Sequence, residues 1–127
     1  MEQSIERDQP LRGMKILVAD DEFLILVSIE EALRAAGAEI VSASTLPAAL
    51  KGAGDETLSA ALLDVRLGRQ TTETVADALL ARAVPFVFYT GQALPDHIRE
   101  KHPDAKVLVK PSKQDAFIEA MLQVMQH

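Results

Sequence analysis

The chain has 127 residues, a formal net charge of −6 and no cysteine. That length suits one domain with a sizeable apolar core. The acidic balance argues against general nucleic-acid binding, because phosphate contacts need clustered Lys and Arg. The lack of cysteine excludes disulfides, thiolate catalysis and cysteine-ligated zinc, and it favours a cytoplasmic location. No run approaches the roughly 18 apolar residues of a membrane-spanning helix, so we expect no contact with a membrane.

Polar and charged residues fill positions 1–12 without periodicity, and Pro10 and Gly13 mark the start of a more apolar sequence. We expect a disordered N-terminal tail over 1–12 and one folded domain over 13–127. The tail has no apolar centre, so it has the character of neither a signal peptide nor an anchor.

The first apolar run, Lys15–Ala19, ends at three consecutive acids, Asp20, Asp21 and Glu22. It is too short for a free-standing helix and is typical of a strand that is buried on both faces. In open parallel α/β sheets, ligands bind at the carboxyl ends of the strands. Two adjacent carboxylates repel each other, which indicates a cation, a proton or a very wet surface nearby. From this stretch alone, the acids could equally serve only to cap the following helix.

Strand and helix patterns alternate along the rest of the chain. Four further apolar runs predict strands, namely Ala38–Ala43, Ser59–Asp64, Pro85–Tyr89 and Lys106–Val109. Helical patterns are found over Phe23–Ala36, from Ser44 or Thr45 onwards, over Val75–Ala83 and Pro95–Lys101, and from Ser112 onwards. The segment Val65–Thr74 has no clear period and is expected to be a loop. Such alternation with short links predicts a parallel sheet with helices on both faces.

The predicted strands end in residues of complementary chemistry. Asp64 ends the third strand, Thr90 follows the fourth and Lys110 follows the fifth. Parallel strands bring these ends to the same edge as Asp20 and Asp21. Carboxylates suit a hard cation such as Mg²⁺, and an amine and a hydroxyl can hold anionic oxygens, so the set indicates phosphoryl chemistry. Asp64 stands alone on its strand end and is the candidate nucleophile.

On these positions the chain from Met14 onwards resembles the receiver domain of two-component response regulators, the CheY-like family. Asp20-Asp21, Asp64, Thr90 and Lys110-Pro111 match the motif of that family in order and spacing. The resemblance implies a flavodoxin-like α/β fold, in which a doubly wound parallel sheet of five strands in the order 2-1-3-4-5 is flanked by five helices.

The resemblance also implies how the acids act. Asp64 would be the phosphoacceptor and would take its phosphoryl group from a phosphohistidine. Mg²⁺ would be held by Asp20, Asp21, Asp64 and the backbone carbonyl of Arg66. The side chains of Arg66 and Gln92 are candidate modulators of the reaction. Such a protein is a signalling phosphoacceptor and not an enzyme, beyond self-phosphotransfer and autodephosphorylation.

Thr90 and Lys110 would bind the phosphoryl oxygens, again by resemblance. Lys110 would pair with Asp64 before the transfer and with a phosphoryl oxygen after it. Thr90 would move toward the phosphoryl group and so report it to the surface of the fourth helix, last strand and last helix. The Lys110–Pro111 peptide bond is expected to be cis, as is common in that family and inexpensive before proline.

The implied partners are a sensor histidine kinase or a histidine phosphotransfer protein, and a downstream protein target. The final helix is also the end of the sequence, so we expect no DNA-binding domain and a stand-alone receiver in a phosphorelay. It would signal by contact or by onward transfer, as a monomer or a weak homodimer.

The sequence departs from the receiver pattern in two places. Val107 stands where receivers usually carry Tyr or Phe, so the usual coupling between threonine and an aromatic ring has no counterpart there. Phe88–Gln92 resembles the Phe-Ala-Thr-Gly motif of an atypical stand-alone subgroup, with Tyr89 in place of the alanine. We therefore hypothesise that switching uses Thr90 and reordering of the segment 91–104.

Two other functions remain open at this point. One is a pseudo-receiver that keeps the fold and binds partners without phosphorylation. The other is a haloacid-dehalogenase-like phosphatase, which also uses an aspartate nucleophile but expects Asp-x-Asp where this chain has Asp20-Asp21. His97 and His102 lie in a polar segment and are expected to be exposed, with no role at the site.

Overall fold

The computed structural model describes residues 9–126. Its five main strands are β1 (Lys15–Ala19), β2 (Glu39–Ala43), β3 (Ala60–Asp64), β4 (Phe86–Thr90) and β5 (Lys106–Val109). Its helices are α1 (Phe23–Ala35), α2 (Leu46–Ala53), α3 (Glu73–Ala81), α4 (Asp96–Lys101) and α5 (Gln114–Met125). No helix in this part of the chain combines the length and hydropathy that crossing a membrane requires.

The five strands form one parallel sheet in the order β2-β1-β3-β4-β5, which confirms the predicted flavodoxin-like topology. The strand register brings the carboxyl ends together at one edge. Ala19 of β1 pairs with Leu63 of β3, and Thr90 of β4 pairs with Val109 of β5. The residues that follow these positions, Asp20, Asp64 and Lys110, therefore all emerge at that edge.

Helices cover the sheet on both faces, so the core has two layers. Alternate residues such as Leu17, Leu63 and Phe88 face the layer that also contains buried residues of α2, α3 and α4. The residues between them, such as Val18 and Leu62, face the layer of α1 and α5. Strands β1 and β3 are buried on both faces because they lie in the middle of the sheet.

The folded part begins earlier than the predicted boundary at residue 13. Leu11 is 0% exposed and belongs to the layer of α1 and α5. Its backbone N–H donates a hydrogen bond to the carbonyl of Ala36, with an N···O distance of 2.8 Å. A single leucine between Pro10 and Arg12 produces no periodic signal, so the sequence pattern could not reveal this contact. Residues 1–8 of the expected tail lie outside the described residues.

The segment that was expected to be a loop after β3 contains a small hairpin. Arg66–Leu67 pairs antiparallel with Gln70–Thr71. Gly68 turns the chain between them with a φ of +64°, a conformation that glycine adopts without a steric penalty. Two-residue strands are too short to give a periodic pattern, and for this reason the prediction missed them.

Replacing Ala83 by glycine is expected to stabilise the fold. Ala83 follows α3 with a φ of 58°, in the left-handed region that is costly for residues with a Cβ. The relief is worth about 1–2 kcal/mol, and the added freedom of the unfolded chain takes back about 0.4–1 kcal/mol. Urea denaturation should therefore show Ala83→Gly more stable by about 0.5 kcal/mol.

The matched control is Ala78→Gly, because Ala78 is a half-buried residue in the middle of α3. Glycine at a helical position costs up to about 1 kcal/mol, so this variant should be less stable than wild type. Equal destabilisation by both substitutions would mean that Ala83 is not left-handed in solution.

Candidate functional site

Three carboxylates meet at the carboxyl edge of the sheet. Oxygen atoms of Asp20, Asp21 and Asp64 all lie within 4.8 Å of one another. Asp20 is 1% exposed and Asp64 is 9% exposed, whereas Asp21 is open to solvent. The site thus has a buried pair of acids and a third acid at its mouth. The sequence analysis named all three, and the structure brings them together.

Lys110 enters the same cluster from the end of β5. Its Nζ atom lies 3.2 Å from Oδ2 of Asp20 and 3.2 Å from Oδ2 of Asp64. The lysine side chain is only 16% exposed. One ammonium group therefore bridges the two buried carboxylates. The Lys110–Pro111 bond that follows is cis, as predicted.

The pKa shifts in the cluster follow from burial and charge. Burial raises the pKa of Asp64 above its usual range, and the nearby Asp20 carboxylate raises it further, while Lys110 opposes both effects. Burial by itself would lower the pKa of Lys110, but the carboxylates of Asp20 and Asp64 more than reverse this and raise it. The ammonium group is thus held in its charged form. The single positive charge of Lys110 is smaller than the summed negative charge of the three carboxylates.

Backbone N–H groups hold the carboxylates in place. Oδ1 of Asp20 accepts a hydrogen bond from the N–H of Glu22, with an N···O distance of 2.9 Å. Oδ2 of Asp21 accepts a hydrogen bond from the N–H of Gly68, in the turn of the hairpin, with an N···O distance of 2.8 Å. Asp64 has only a long contact of this kind, 3.4 Å from its Oδ1 to the N–H of Arg66. Among the three acids, Asp64 therefore has the weakest hydrogen bond from a backbone N–H.

Thr72 supports the site from behind and was missed by the sequence analysis. It is 0% exposed, and its Oγ1 donates to the backbone carbonyl of Asp64 at 2.7 Å. Its N–H also donates to the carbonyl of Val65 at 2.9 Å. This threonine pins the chain after β3 and immediately precedes α3. The only sequence signal was a threonine just before a helix.

Thr90 lies at the same edge, with its hydroxyl engaged by the following loop. Its Oγ1 accepts a hydrogen bond from the N–H of Gln92 and lies 3.1 Å from the carbonyl oxygen of the same residue. Its carbonyl accepts from the N–H of Lys110 at 2.9 Å. The side chains of Gln92 and Arg66, the candidate modulators, are exposed.

The expectation of two exposed histidines is half wrong. The side chain of His97 is 61% exposed and pairs with Glu73. His102 is buried, because its ring turns inward and packs edge-on against Phe86 with a centroid distance of 5.5 Å. Its Nε2 lies 3.0 Å from Oδ1 of Asp77. These contacts join α4 to α3 and lie outside the acid cluster.

Comparison with solved structures identifies the class of this fold. The chain is similar to a CheY-like response regulator receiver domain from Methanospirillum hungatei, with 22% identity and a TM-score of 0.79 over 89% of this chain and 94% of that one. A response regulator receiver protein from Sinorhizobium medicae is 25% identical, with a TM-score of 0.78 over 91% and 97%. The fold is therefore that of response regulator receiver domains, as the site motif predicted.

A third solved structure of this fold contains a bound metal ion. The receiver domain of a sensor histidine kinase from Pseudomonas aeruginosa, with magnesium coordinated in its active-site cleft, is 24% identical to this chain. The TM-score is 0.76 over 91% of this chain and 99% of that one. A scan of protein-family models finds no match, and neither does a search of curated proteins.

Thr72→Val is expected to destabilise the protein by about 1–2 kcal/mol, because a buried carbonyl loses its donor. Thr74→Val is the control, since Thr74 is an exposed residue in the first turn of α3, two positions after Thr72. Urea denaturation of both variants measures the difference. Equal stabilities would show that the Thr72 hydroxyl does not hold the Asp64 backbone.

Proposed function

We propose that this chain is a phosphorelay receiver that accepts a phosphoryl group from phosphohistidine on Asp64. The observation that carries the proposal is that Asp64 combines contact with Lys110 and a weakly engaged carboxylate oxygen. Both oxygens of Asp20 are engaged, by the N–H of Glu22 and by Lys110. Asp64 shares the same lysine, yet its Oδ1 has only the 3.4 Å contact. A nucleophile needs a lone pair that is not already committed, and Asp64 has one.

The transfer is a displacement at phosphorus. An Asp64 carboxylate oxygen forms the new P–O bond as the P–N bond to the donor imidazole breaks, and that electron pair stays on the imidazole nitrogen. The product is an acyl phosphate on Asp64. The donor supplies the reactive bond, while this chain supplies position and charge.

The donor set fits Mg²⁺. Three carboxylates provide hard oxygen ligands, and a single ammonium group leaves surplus negative charge among them. Asp20, Asp21, Asp64 and the backbone carbonyl of Arg66 would hold the ion. When bound, it neutralises the acids and the arriving phosphoryl group. The Pseudomonas aeruginosa receiver with magnesium in its cleft supports this assignment by analogy.

Lys110 and Thr90 serve the phosphoryl group after transfer. Lys110 is a point charge next to Asp64 and binds a phosphoryl oxygen when the aspartate is phosphorylated. The Thr90 hydroxyl gives up its hydrogen bonds with the backbone of Gln92 and binds a phosphoryl oxygen instead. The loop that leads to α4 then loses its contact with Thr90. In this way the state of Asp64 reaches the surface of α4, β5 and α5 without an aromatic residue at Val107.

The proposed partners are a sensor histidine kinase or a histidine phosphotransfer protein as donor, and a protein target or a further relay protein as receiver of the signal. The protein acts as a signalling phosphoacceptor and not as an enzyme. The proposal places this exchange in the cytoplasm, which the lack of cysteine favours.

Incubation with acetyl phosphate and Mg²⁺ is expected to add the mass of one phosphoryl group to the wild-type protein. Asp64→Asn should remain unlabelled, because an amide oxygen is a poor nucleophile. Asp96→Asn is the matched control and should be labelled like wild type, since Asp96 is an exposed acid of α4. Intact-mass spectrometry measures all three.

An unlabelled wild-type protein would favour the pseudo-receiver alternative. Equal labelling of Asp64→Asn would reject Asp64 as the phosphoacceptor. Rapid release of inorganic phosphate over many turnovers would favour the phosphatase alternative.

Removing one carboxylate is expected to weaken metal binding. At a free Mg²⁺ concentration of about 100 times the dissociation constant, the folded state of wild type should gain about 2.7 kcal/mol. Asp21→Asn should lose most of this gain, whereas Asp96→Asn should keep it. Thermal unfolding with Mg²⁺ and with EDTA measures the effect, and an unchanged shift in Asp21→Asn would remove Asp21 from the ligand set.

A further inference from the structure

The residue before the switch threonine, Tyr89, belongs to a core layer and also borders the site. The sheet register places it between Asp64 of β3 and Leu108 of β5. Tyr89 and Leu108 both belong to the layer of α1 and α5. Lys110 comes two residues after Leu108 and so returns to the same face. The tyrosine ring is 4% exposed.

The ring and hydroxyl of Tyr89 make three contacts with other side chains and backbone groups. The Nζ atom of Lys110 lies over the ring, 5.2 Å from its centroid. The hydroxyl accepts a hydrogen bond from the N–H of Ser112 at 3.0 Å, just before α5. Phe117 of α5 packs edge-on against the ring, with a centroid distance of 5.1 Å. The ring is therefore enclosed by Lys110, Ser112 and Phe117.

The Tyr89 ring and two carboxylates together surround the ammonium group of Lys110. The carboxylates of Asp20 and Asp64 bind the ammonium group from one direction, each at 3.2 Å. The electron-rich face of a tyrosine ring attracts an ammonium group and is strongest where water is excluded. Lys110 is thus held between two carboxylates and one aromatic face.

We infer that Tyr89 is a positioning residue for Lys110, an inference that rests on the proposed function. Phosphorylation of Asp64 converts one of the two carboxylates that hold the ammonium group into an acyl phosphate. The attraction of the ring does not depend on the charge of Asp64. Tyr89 therefore keeps Lys110 directed at the site before, during and after the transfer, when the ion pair with Asp64 is lost.

Three variants separate this role from ordinary packing. Tyr89→Leu removes the ring and keeps an apolar side chain, and Tyr89→Phe keeps the ring and removes the hydroxyl. Phe117→Leu is the matched control, because it removes an aromatic contact of Tyr89 and keeps the Tyr89 ring that Lys110 contacts. A purely structural role would make the two leucine variants behave alike.

The first readout is the rate of Asp64 labelling by acetyl phosphate with Mg²⁺. Tyr89→Leu should be slower by roughly three- to thirtyfold, the range that corresponds to a partly desolvated cation–π contact. Tyr89→Phe and Phe117→Leu should stay within about twofold of wild type, because the contact of the ring with Lys110 survives in both. Equal slowing in Tyr89→Leu and Phe117→Leu would overturn the inference.

The second readout needs no phosphodonor. In the NMR spectrum of the wild-type protein, ring current should move the ε-methylene protons of Lys110 upfield of those of exposed Lys113. The shift should persist in Tyr89→Phe and disappear in Tyr89→Leu. Coincident Lys110 and Lys113 signals in wild type would refute the inference. A normal upfield shift in a protein that cannot be labelled would instead refute the proposed function alone.

Discussion

The structure depends on one ammonium group that is shared by two buried carboxylates. Asp20 and Asp64 approach each other at the edge of the sheet, and Lys110 binds both. Buried like charges are costly, and one cation offsets only part of that cost. The proposed divalent cation would offset the surplus negative charge of the acids, which otherwise repels the anionic oxygens of an incoming phosphoryl group. The same arrangement that costs stability is therefore the source of the proposed chemistry.

The surrounding fold holds this unfavourable cluster at a fixed place. Parallel strands with matched ends deliver the charged residues, and buried apolar layers on both faces of the sheet keep the strands in register. The short hairpin binds Asp21 through the N–H of Gly68, and Thr72 fixes the backbone of Asp64. Tyr89 completes the enclosure of Lys110. Each of these contacts restrains one residue of the charged cluster, namely Asp21, Asp64 or Lys110.

The sequence alone was sufficient to predict those features of the fold and the site that depend on local residue patterns. Short apolar runs that end in Asp20, Asp64, Thr90 and Lys110 predicted the sheet and the residues at its edge. Other features arise only from contacts between distant parts of the chain, and no local pattern encodes them. The bond from Gly68 to Asp21 spans 47 residues, and the burial of His102 depends on aromatic side chains of β4. The likeness to the Phe-Ala-Thr-Gly subgroup remains a prediction, since Tyr89 distinguishes this chain from that motif.

The most direct test is a crystal structure of the protein with Mg²⁺ and beryllofluoride, a tetrahedral mimic of a phosphoryl group. The account predicts beryllofluoride on an Asp64 carboxylate oxygen, with Lys110 and the Thr90 hydroxyl on its fluorine atoms and the metal ion among the three acids. Beryllofluoride bound elsewhere, or Lys110 turned away from an occupied Asp64, would contradict the account.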